Sequence, residues 1–120
     1  MDSCVIMSLF NGAEGLEFLR DKIMVSQQFI SIITRIELFA WDNLTPDDEK
    51  YISLFLQNRS VIQITEDVEL NAITLRRKTS LKLPDTIIAA TALSLGAVVI
   101  TLDPHLLNLK WPGLQVVSSV

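Results

Sequence analysis

Residues Ser80–Asp103 read SLKLPDTIIAATALSLGAVVITLD. From Asp85 to Leu95 this stretch is apolar on nearly every side, which predicts a buried helix, and Gly96 follows at the position that glycine favours after a helix. Ala97–Thr101 is an uninterrupted β-rich run, as expected of a strand covered on both faces. A buried helix that turns directly into a buried strand is typical of a parallel sheet flanked by helices.

Outside this stretch, apolar residues at helical spacing alternate with short β-rich runs. Helices are predicted at Val5–Phe10, Ala13–Ile23, Ile33–Trp41, from Pro46 onward, and at Glu66–Lys78. Strands are predicted at Gln28–Ser31, Val61–Ile64 and Gln115–Val117. This alternation predicts an α/β protein in which a mainly parallel sheet carries helices on both sides, as a single domain over residues 1–120.

Two of the predicted helices have clear start signals. Thr45 suits the N-cap position and Pro46 the first helical position, and the acids that follow favour the positive end of the helix dipole. Thr65 suits the N-cap of the helix at Glu66–Lys78. These signals fix where the helices begin better than periodicity alone does.

The composition is that of a globular protein. With 120 residues, of which 49% are hydrophobic, the chain is long enough to bury one core. It has no run of about 18 uncharged apolar residues, and its start lacks the basic-then-apolar layout of a signal peptide. We therefore expect a cytoplasmic protein that does not enter a membrane.

Charge and metal-binding residue types narrow the possible chemistry. Cys4 is the only cysteine and His105 the only histidine, so a Cys/His zinc set is excluded and a metal would be held by carboxylates. The net charge of −4 argues against a general electrostatic grip on nucleic acid. The basic residues that do cluster are Arg76, Arg77, Lys78 and Lys82. A solvated helix end explains the run of three better than a phosphate site does.

Four acids are predicted to lie at one edge of the sheet. Asp103 comes two residues after the buried strand, at the carboxyl edge where parallel sheets bind ligands. Asp85 starts a helix that runs back antiparallel to that strand, so it belongs at the same edge. Glu37 follows the predicted strand at Gln28–Ser31 by about one helical turn, and Asp2 precedes the first predicted element.

Carboxylates that converge in this way repel one another unless a cation or a shared proton offsets their charge. Sites built from oxygen ligands select Mg²⁺ or Mn²⁺. Such ions polarise a phosphodiester and activate water for its hydrolysis. The arrangement therefore favours metal-assisted phosphodiester hydrolysis.

At these residues the sequence resembles the PIN-domain family, in particular the single-domain ribonuclease toxins of VapC type. Four pieces in order along the chain carry the resemblance, and the third is the most specific. They are DSCVIMSLFNG at Asp2–Gly12, SIITRIEL at Ser31–Leu38, LKLPDTIIAATALSLGA at Leu81–Ala97, and VITLD at Val99–Asp103.

The resemblance implies a parallel three-layer αβα sandwich and an endoribonuclease that depends on Mg²⁺ or Mn²⁺. It also implies a homodimer, inhibited by a cognate antitoxin. Carried over by position, the catalytic and metal-binding acids are Asp2, Glu37, Asp85 and Asp103. Thr101 matches a hydroxyl position that supports the metal-bound water or the neighbouring acid in the family.

Two positions depart from the family pattern. Members usually have several apolar residues before the first aspartate, which form the central strand, whereas here only Met1 precedes Asp2, so the first strand is apparently truncated. Either the natural start lies upstream, or another segment or subunit fills the middle of the sheet. Leu102 replaces a basic residue that is common before the last aspartate, which would weaken substrate binding.

Alternative interpretations remain at the level of sequence. Asp85 alone is more typical of a helix-dipole partner, Asp103 before Pro104 of a turn, and a lone His105 of a structural or solvated side chain. For the whole chain, the alternative to a ribonuclease is a catalytically impaired PIN-like module that binds RNA or protein. A phosphoacceptor domain of receiver type ranks below both, because Lys110 is too far into the tail to serve as its lysine.

Overall fold

A computed structural model describes residues 6–9, 28–40, 42–57, 59–101 and 103–118 of the chain. The strands are β1 (Ile6–Leu9), β2 (Gln28–Ser31), β3 (Ser60–Ile62), β4 (Ala97–Thr101) and β5 (Gln115–Ser118). The helices in these residues are α1 (Ile32–Phe39), α2 (Pro46–Gln57), α3 (Glu66–Lys78), α4 (Leu83–Leu95) and α5 (Pro104–Leu107). The strands form one sheet in the order β3-β2-β1-β4-β5.

Four of these five strands run in the same direction. β2 pairs with β3 and β4 pairs with β5 in parallel, whereas β1 lies antiparallel to both β2 and β4. In the centre of the sheet Met7 lies between Phe29 and Val99, and Ile6 lies opposite Ile100. The sheet is therefore mainly parallel, as predicted, with one reversed strand in its middle.

The helix predicted at Val5–Phe10 is wrong, because Ile6–Leu9 is the central strand β1. β2 and β4 each present a row of backbone N–H and C=O groups toward this position, and a strand between them pairs both rows. A helix of so few residues has little stability of its own, so the sheet decides the conformation. The helix predicted at Ala13–Ile23 lies outside the described residues.

The side chains of β2 show that helices cover both faces of the sheet. Phe29 packs in the larger core cluster with residues of α3 and α4, including Val68 and Ile88. The next residue, Ile30, packs on the opposite face with Ile52 and Leu56 of α2. Since successive strand residues point to opposite faces, the molecule is a three-layer αβα sandwich.

The most deeply buried helix is α4. Every residue from Thr86 to Ala92 is buried, so the predicted all-round apolar character is confirmed. The buried hydroxyls are satisfied locally, since Thr86 Oγ1 donates to Lys82 O at 2.8 Å and Thr91 Oγ1 to Ile87 O at 2.7 Å. Gly96 ends the helix at φ 65°, and the chain enters the fully buried strand β4 at once.

The predicted caps are confirmed. Thr45 Oγ1 accepts a hydrogen bond from Asp48 N–H at 3.1 Å, and the Asp48 carboxylate accepts one from Thr45 N–H at 3.1 Å. Thr65 Oγ1 accepts from Val68 N–H at 3.3 Å at the start of α3. In the described part of the chain, every helix is too short or too polar to cross a bilayer.

Candidate metal site at the carboxyl edge of the sheet

Asp103 is held by two hydrogen bonds, one from its backbone N–H and one to its side-chain carboxylate. β4 ends at Thr101, whose fully buried Oγ1 accepts a hydrogen bond from Asp103 N–H at 3.0 Å. Asp103 is also the N-cap of α5, and its Oδ1 accepts from His105 N–H at 2.8 Å. These contacts keep the carboxylate just beyond the carboxyl end of a buried strand.

Asp85 reaches the same edge from α4. It is the third residue of this helix, in the first turn, where the helix dipole favours an anion. The helix packs against β4 and returns to it through Gly96, so its N-terminal turn lies near the carboxyl end of the strand. Asp85 as a whole is partly buried.

The structure brings Asp85, Asp103 and His105 together. One ligand atom from each of the three lies within 4.8 Å of the others. His105 Nδ1 is 3.2 Å from Asp103 Oδ1, and the two side chains are 73% and 30% exposed. The predicted juxtaposition of Asp85 and Asp103 is thus present in the fold, together with a histidine.

These donors fit the divalent ion that the sequence predicts. Two carboxylates in close proximity repel each other, and a cation between them offsets that repulsion. Carboxylate oxygens suit Mg²⁺ and Mn²⁺, and an imidazole nitrogen favours transition-metal ions over Mg²⁺. Binding of an ion there, and its identity, remain predictions.

The remaining predicted site residues are placed less directly. Glu37 lies on α1, exposed, and is not one of the three residues whose ligand atoms converge. Asp2 lies outside the described residues. Thr101 is close to the site through its hydrogen bond to the backbone of Asp103, which favours support of the neighbouring acid over a direct contact with water.

His105 is the site residue that the sequence interpretation undervalued. The sequence pattern favours a turn at Asp103-Pro104 and a structural or solvated His105, whereas these residues begin the short helix α5. The signal was available, since an N-cap residue followed by proline at the first helical position also marks Thr45-Pro46. Applied here, it places His105 in the first turn, directly above the capping carboxylate.

A cleft runs away from the candidate site past His105. It lies between the segment that precedes α4 and the helix α5, and its polar lining includes Thr79, Ser80 and Asn108. The guanidinium of Arg76 donates to Leu81 O at 2.7 Å and stabilises the α3–α4 connection. We therefore do not count Arg76 as a cation of this cleft. The cleft therefore offers hydroxyl and amide groups next to His105.

The sequence as a whole matches the model of the PIN domain over residues 1–112. The chain belongs to the PIN domain family. A solved toxin–antitoxin complex from Klebsiella pneumoniae is similar to it, with 30% identity, a TM-score of 0.60, and coverage of 71% of this chain and 69% of that one. No curated protein matches the chain in sequence.

Two other solved structures resemble this PIN domain. One is DNA-bound VapBC from Salmonella typhimurium, with 26% identity, a TM-score of 0.63, and coverage of 75% of this chain and 74% of that one. The other is VapBC2 from Rickettsia felis bound to a DNA fragment from the promoter, with 17% identity, a TM-score of 0.69, and coverage of 85% and 82%. The latter likeness shows the fold alone.

Proposed function

We propose that this PIN domain is a divalent-metal-dependent endoribonuclease of VapC type, the toxin of a toxin–antitoxin pair. The observation that carries the proposal is the convergence of Asp85 and Asp103 at the carboxyl edge of β4. The two acids come from different elements, and the buried α4–Gly96–β4 unit holds them in place. The similar toxin–antitoxin complexes support the same assignment.

In this proposal the acids form the site and the fold orients them. Asp85 and Asp103 hold Mg²⁺ or Mn²⁺, which would supply a Lewis acid for the scissile phosphodiester. Thr101 fixes Asp103 through its backbone N–H. Glu37 from α1 and Asp2 are proposed to complete the acidic set. The inclusion of Asp2 is supported by β1, whose first residue, Ile6, pairs with Ile100 near this same edge.

The proposed substrate is RNA, threaded along the cleft beside His105. Hydroxyl and amide groups from Thr79, Ser80 and Asn108 line this cleft and suit contacts with phosphate and sugar oxygens. Lys82, exposed three residues before Asp85, is a nearby cation for the phosphate backbone. With a net charge of −4, the chain is expected to bind RNA through this local surface and only weakly elsewhere.

RNA cleavage tests the proposal. Purified protein with Mn²⁺ is expected to cut single-stranded RNA, and Asp85→Asn and Asp103→Asn are each expected to lower the rate by about 100-fold or more. Asp67→Asn is the matched control, because Asp67 is an exposed acid in the first turn of α3. Wild-type protein that cuts no RNA, or three variants with equal activity, would overturn the assignment.

Two protein partners belong to the proposal, a second copy of the chain and an antitoxin. For the antitoxin we propose a groove between α3 and α4, lined by Ile64, Ile73 and Leu83, with Arg76, Arg77 and Glu69 also in its lining. The apolar side chains suit an apolar face of a partner segment, and two arginines against one glutamate favour acidic over basic residues beside that face. Ile64, Ile73 and Leu83 are 49%, 40% and 55% exposed.

One variant pair tests the groove. Ile73→Glu is expected to abolish co-purification with the proposed antitoxin, because it puts a charge in the apolar lining. Leu54→Glu is the control, since Leu54 is also exposed but lies on α2, across the sheet. Antitoxin binding that is retained by Ile73→Glu would contradict the proposed surface. The molar mass of the chain alone, measured by light scattering, tests whether it binds a second copy of itself.

One observation favours a second candidate function, a PIN-like module that binds RNA or protein without cutting it. The central strand β1 runs antiparallel to the other four strands, so the chain leaves it at the opposite edge of the sheet, and among the described residues this strand adds no acid to Asp85 and Asp103. In the cleavage test this candidate predicts Mn²⁺ binding and RNA binding without product. Cleavage that depends on Asp85 and Asp103 excludes it.

A further inference from the structure

We propose that His105 is a direct ligand of the ion at this site, and that its imidazole makes the site prefer Mn²⁺ over Mg²⁺. The inference rests on the metal site of the proposed function and adds a nitrogen ligand to a set that the sequence predicts to be all carboxylate. It concerns the chain's only histidine. Three observations carry it: the spacing of the donor atoms, the local backbone, and the exposure of the ring.

The spacing of the donor atoms suits neighbouring ligands on one octahedral ion. Ligands about 2.1 Å from an ion and at right angles to each other are about 3 Å apart. His105 Nδ1 and Asp103 Oδ1 are 3.2 Å apart. The full set with Asp85 spans up to 4.8 Å, slightly more than the about 4.2 Å between opposite ligands, so a small side-chain rotation closes it.

The backbone of α5 fixes His105 relative to Asp103. Asp103 is the N-cap, Pro104 restricts the next φ angle, and His105 N–H donates to Asp103 Oδ1 at 2.8 Å. The ring therefore follows the carboxylate in any motion of this turn. Such a pair is arranged before an ion arrives, so little ordering cost remains at binding.

The exposure of the ring removes the most common structural reason for a histidine at this position. The His105 side chain is 73% exposed, whereas its neighbour Leu106 in the same helix is completely buried and anchors α5 to the core. Packing is thus supplied by Leu106, and the imidazole is left to line the neighbouring cleft and to meet the two acids.

The metal preference follows from ligand chemistry. Mg²⁺ takes oxygen ligands and retains its waters, whereas an imidazole nitrogen binds Mn²⁺ and later transition metals more strongly. A coordinating Nδ1 must offer its lone pair, so the proton of the neutral ring lies on Nε2 in the bound form. In the ion-free structure Nδ1 lies 3.2 Å from Asp103 Oδ1, a hydrogen bond that requires the proton on Nδ1, so on this proposal ion binding moves the ring proton from Nδ1 to Nε2.

Pulsed EPR of the Mn²⁺ complex tests the proposal directly. Protein without a polyhistidine tag is expected to show ¹⁴N modulation from one imidazole, and His105→Asn is expected to lose it. Asp67→Asn is expected to keep it. By calorimetry, His105→Asn should lower the ratio of Mn²⁺ to Mg²⁺ affinity by about 10-fold, because the lost nitrogen ligand favours the transition-metal ion over Mg²⁺.

The outcomes separate this inference from the proposed function. Mn²⁺ binding that depends on Asp85 but gives no imidazole ¹⁴N signal would overturn the role of His105 and leave the nuclease site intact. An unchanged affinity ratio in His105→Asn would also overturn it. Absence of Mn²⁺ binding by the wild-type chain would contradict both.

Discussion

Among single residues, Thr101 anchors the candidate metal site from inside the core. It is completely buried at the last position of β4, and its hydroxyl accepts the N–H of Asp103. The carboxylate of Asp103 in turn accepts the N–H of His105. A chain of hydrogen bonds therefore runs from a buried strand to an exposed side chain, and the acid lies in its middle.

Thr101→Val is expected to weaken Mn²⁺ binding several-fold while leaving the fold intact. The substitution keeps the shape of the side chain but removes the acceptor of Asp103 N–H, which costs about 1 kcal/mol of stability. Calorimetry and urea unfolding measure the two effects. Thr101→Ser keeps the hydroxyl and loses a buried methyl group, so it is expected to lose stability but retain Mn²⁺ affinity. Equal Mn²⁺ affinity in both variants would contradict the positioning role.

The site residues differ in how far the sequence predicts them. Asp85 and Asp103 flank a helix and a strand joined by one glycine, so connectivity alone brings them to one edge. Whether Glu37 points toward the site edge depends on the rotation of α1 about its axis. The sequence of this eight-residue helix, with its mixed burial, does not determine that rotation. His105 needed recognition of the cap at Asp103, which converts an apparent turn into a helical turn.

At the scale of elements, the joint between α4 and β4 is the part on which the site depends. Gly96 has φ 65°, in the left-handed region. Its N–H donates to the carbonyl oxygens of Ala92 and Leu93 in the last turn of the helix. No described atom lies within 4 Å of a Cβ added there. The need for glycine is therefore one of backbone conformation and not of space.

Gly96→Ala is expected to lower the free energy of unfolding by about 1 kcal/mol, the cost of the left-handed conformation for a residue with a Cβ. Gly96→Asn is the control, and its loss is expected to be smaller because asparagine tolerates this conformation. Urea unfolding measures both. Asp85 is about 16 Å away along the helix axis, so Mn²⁺ affinity should be unchanged. A large loss of Mn²⁺ affinity in Gly96→Ala would contradict the expectation that the connection between α4 and β4 affects stability alone.

Elements with local signals were predicted correctly, and the error fell where the signal is not local. The caps at Thr45 and Thr65, the glycine after α4 and the β-rich run of β4 are all encoded within a few residues. Ile6–Leu9 is compatible with helix or strand by its own composition. Its conformation is determined by the unpaired edges of β2 and β4, which lie far away in sequence.

At the scale of the whole molecule, β1 joins two parallel pairs of strands into one sheet. β3 and β2 form one pair, β4 and β5 the other, and β1 bonds to the inner strand of each. The core cluster of α3 and α4 lies across one face of this sheet, and α2 covers the other. The sheet, and with it the site edge, therefore depends on a strand of four residues.

Met7→Pro is expected to destabilise the protein by about 2–3 kcal/mol, because it removes a backbone donor from the centre of the sheet. Met7→Val keeps the donor and suits a strand, so it is the control and should change stability little. Urea unfolding followed by circular dichroism measures the difference. Identical unfolding midpoints for the two variants would contradict the central position of β1.

The central claim is that Asp85 and Asp103 together bind the ion on which RNA cleavage depends, and calorimetric titration with Mn²⁺ tests it most directly. The wild-type chain is expected to bind Mn²⁺, Asp67→Asn to bind it equally, and Asp85→Asn and Asp103→Asn each to lose at least about 10-fold in affinity. Equal Mn²⁺ affinity in all four proteins would contradict the account.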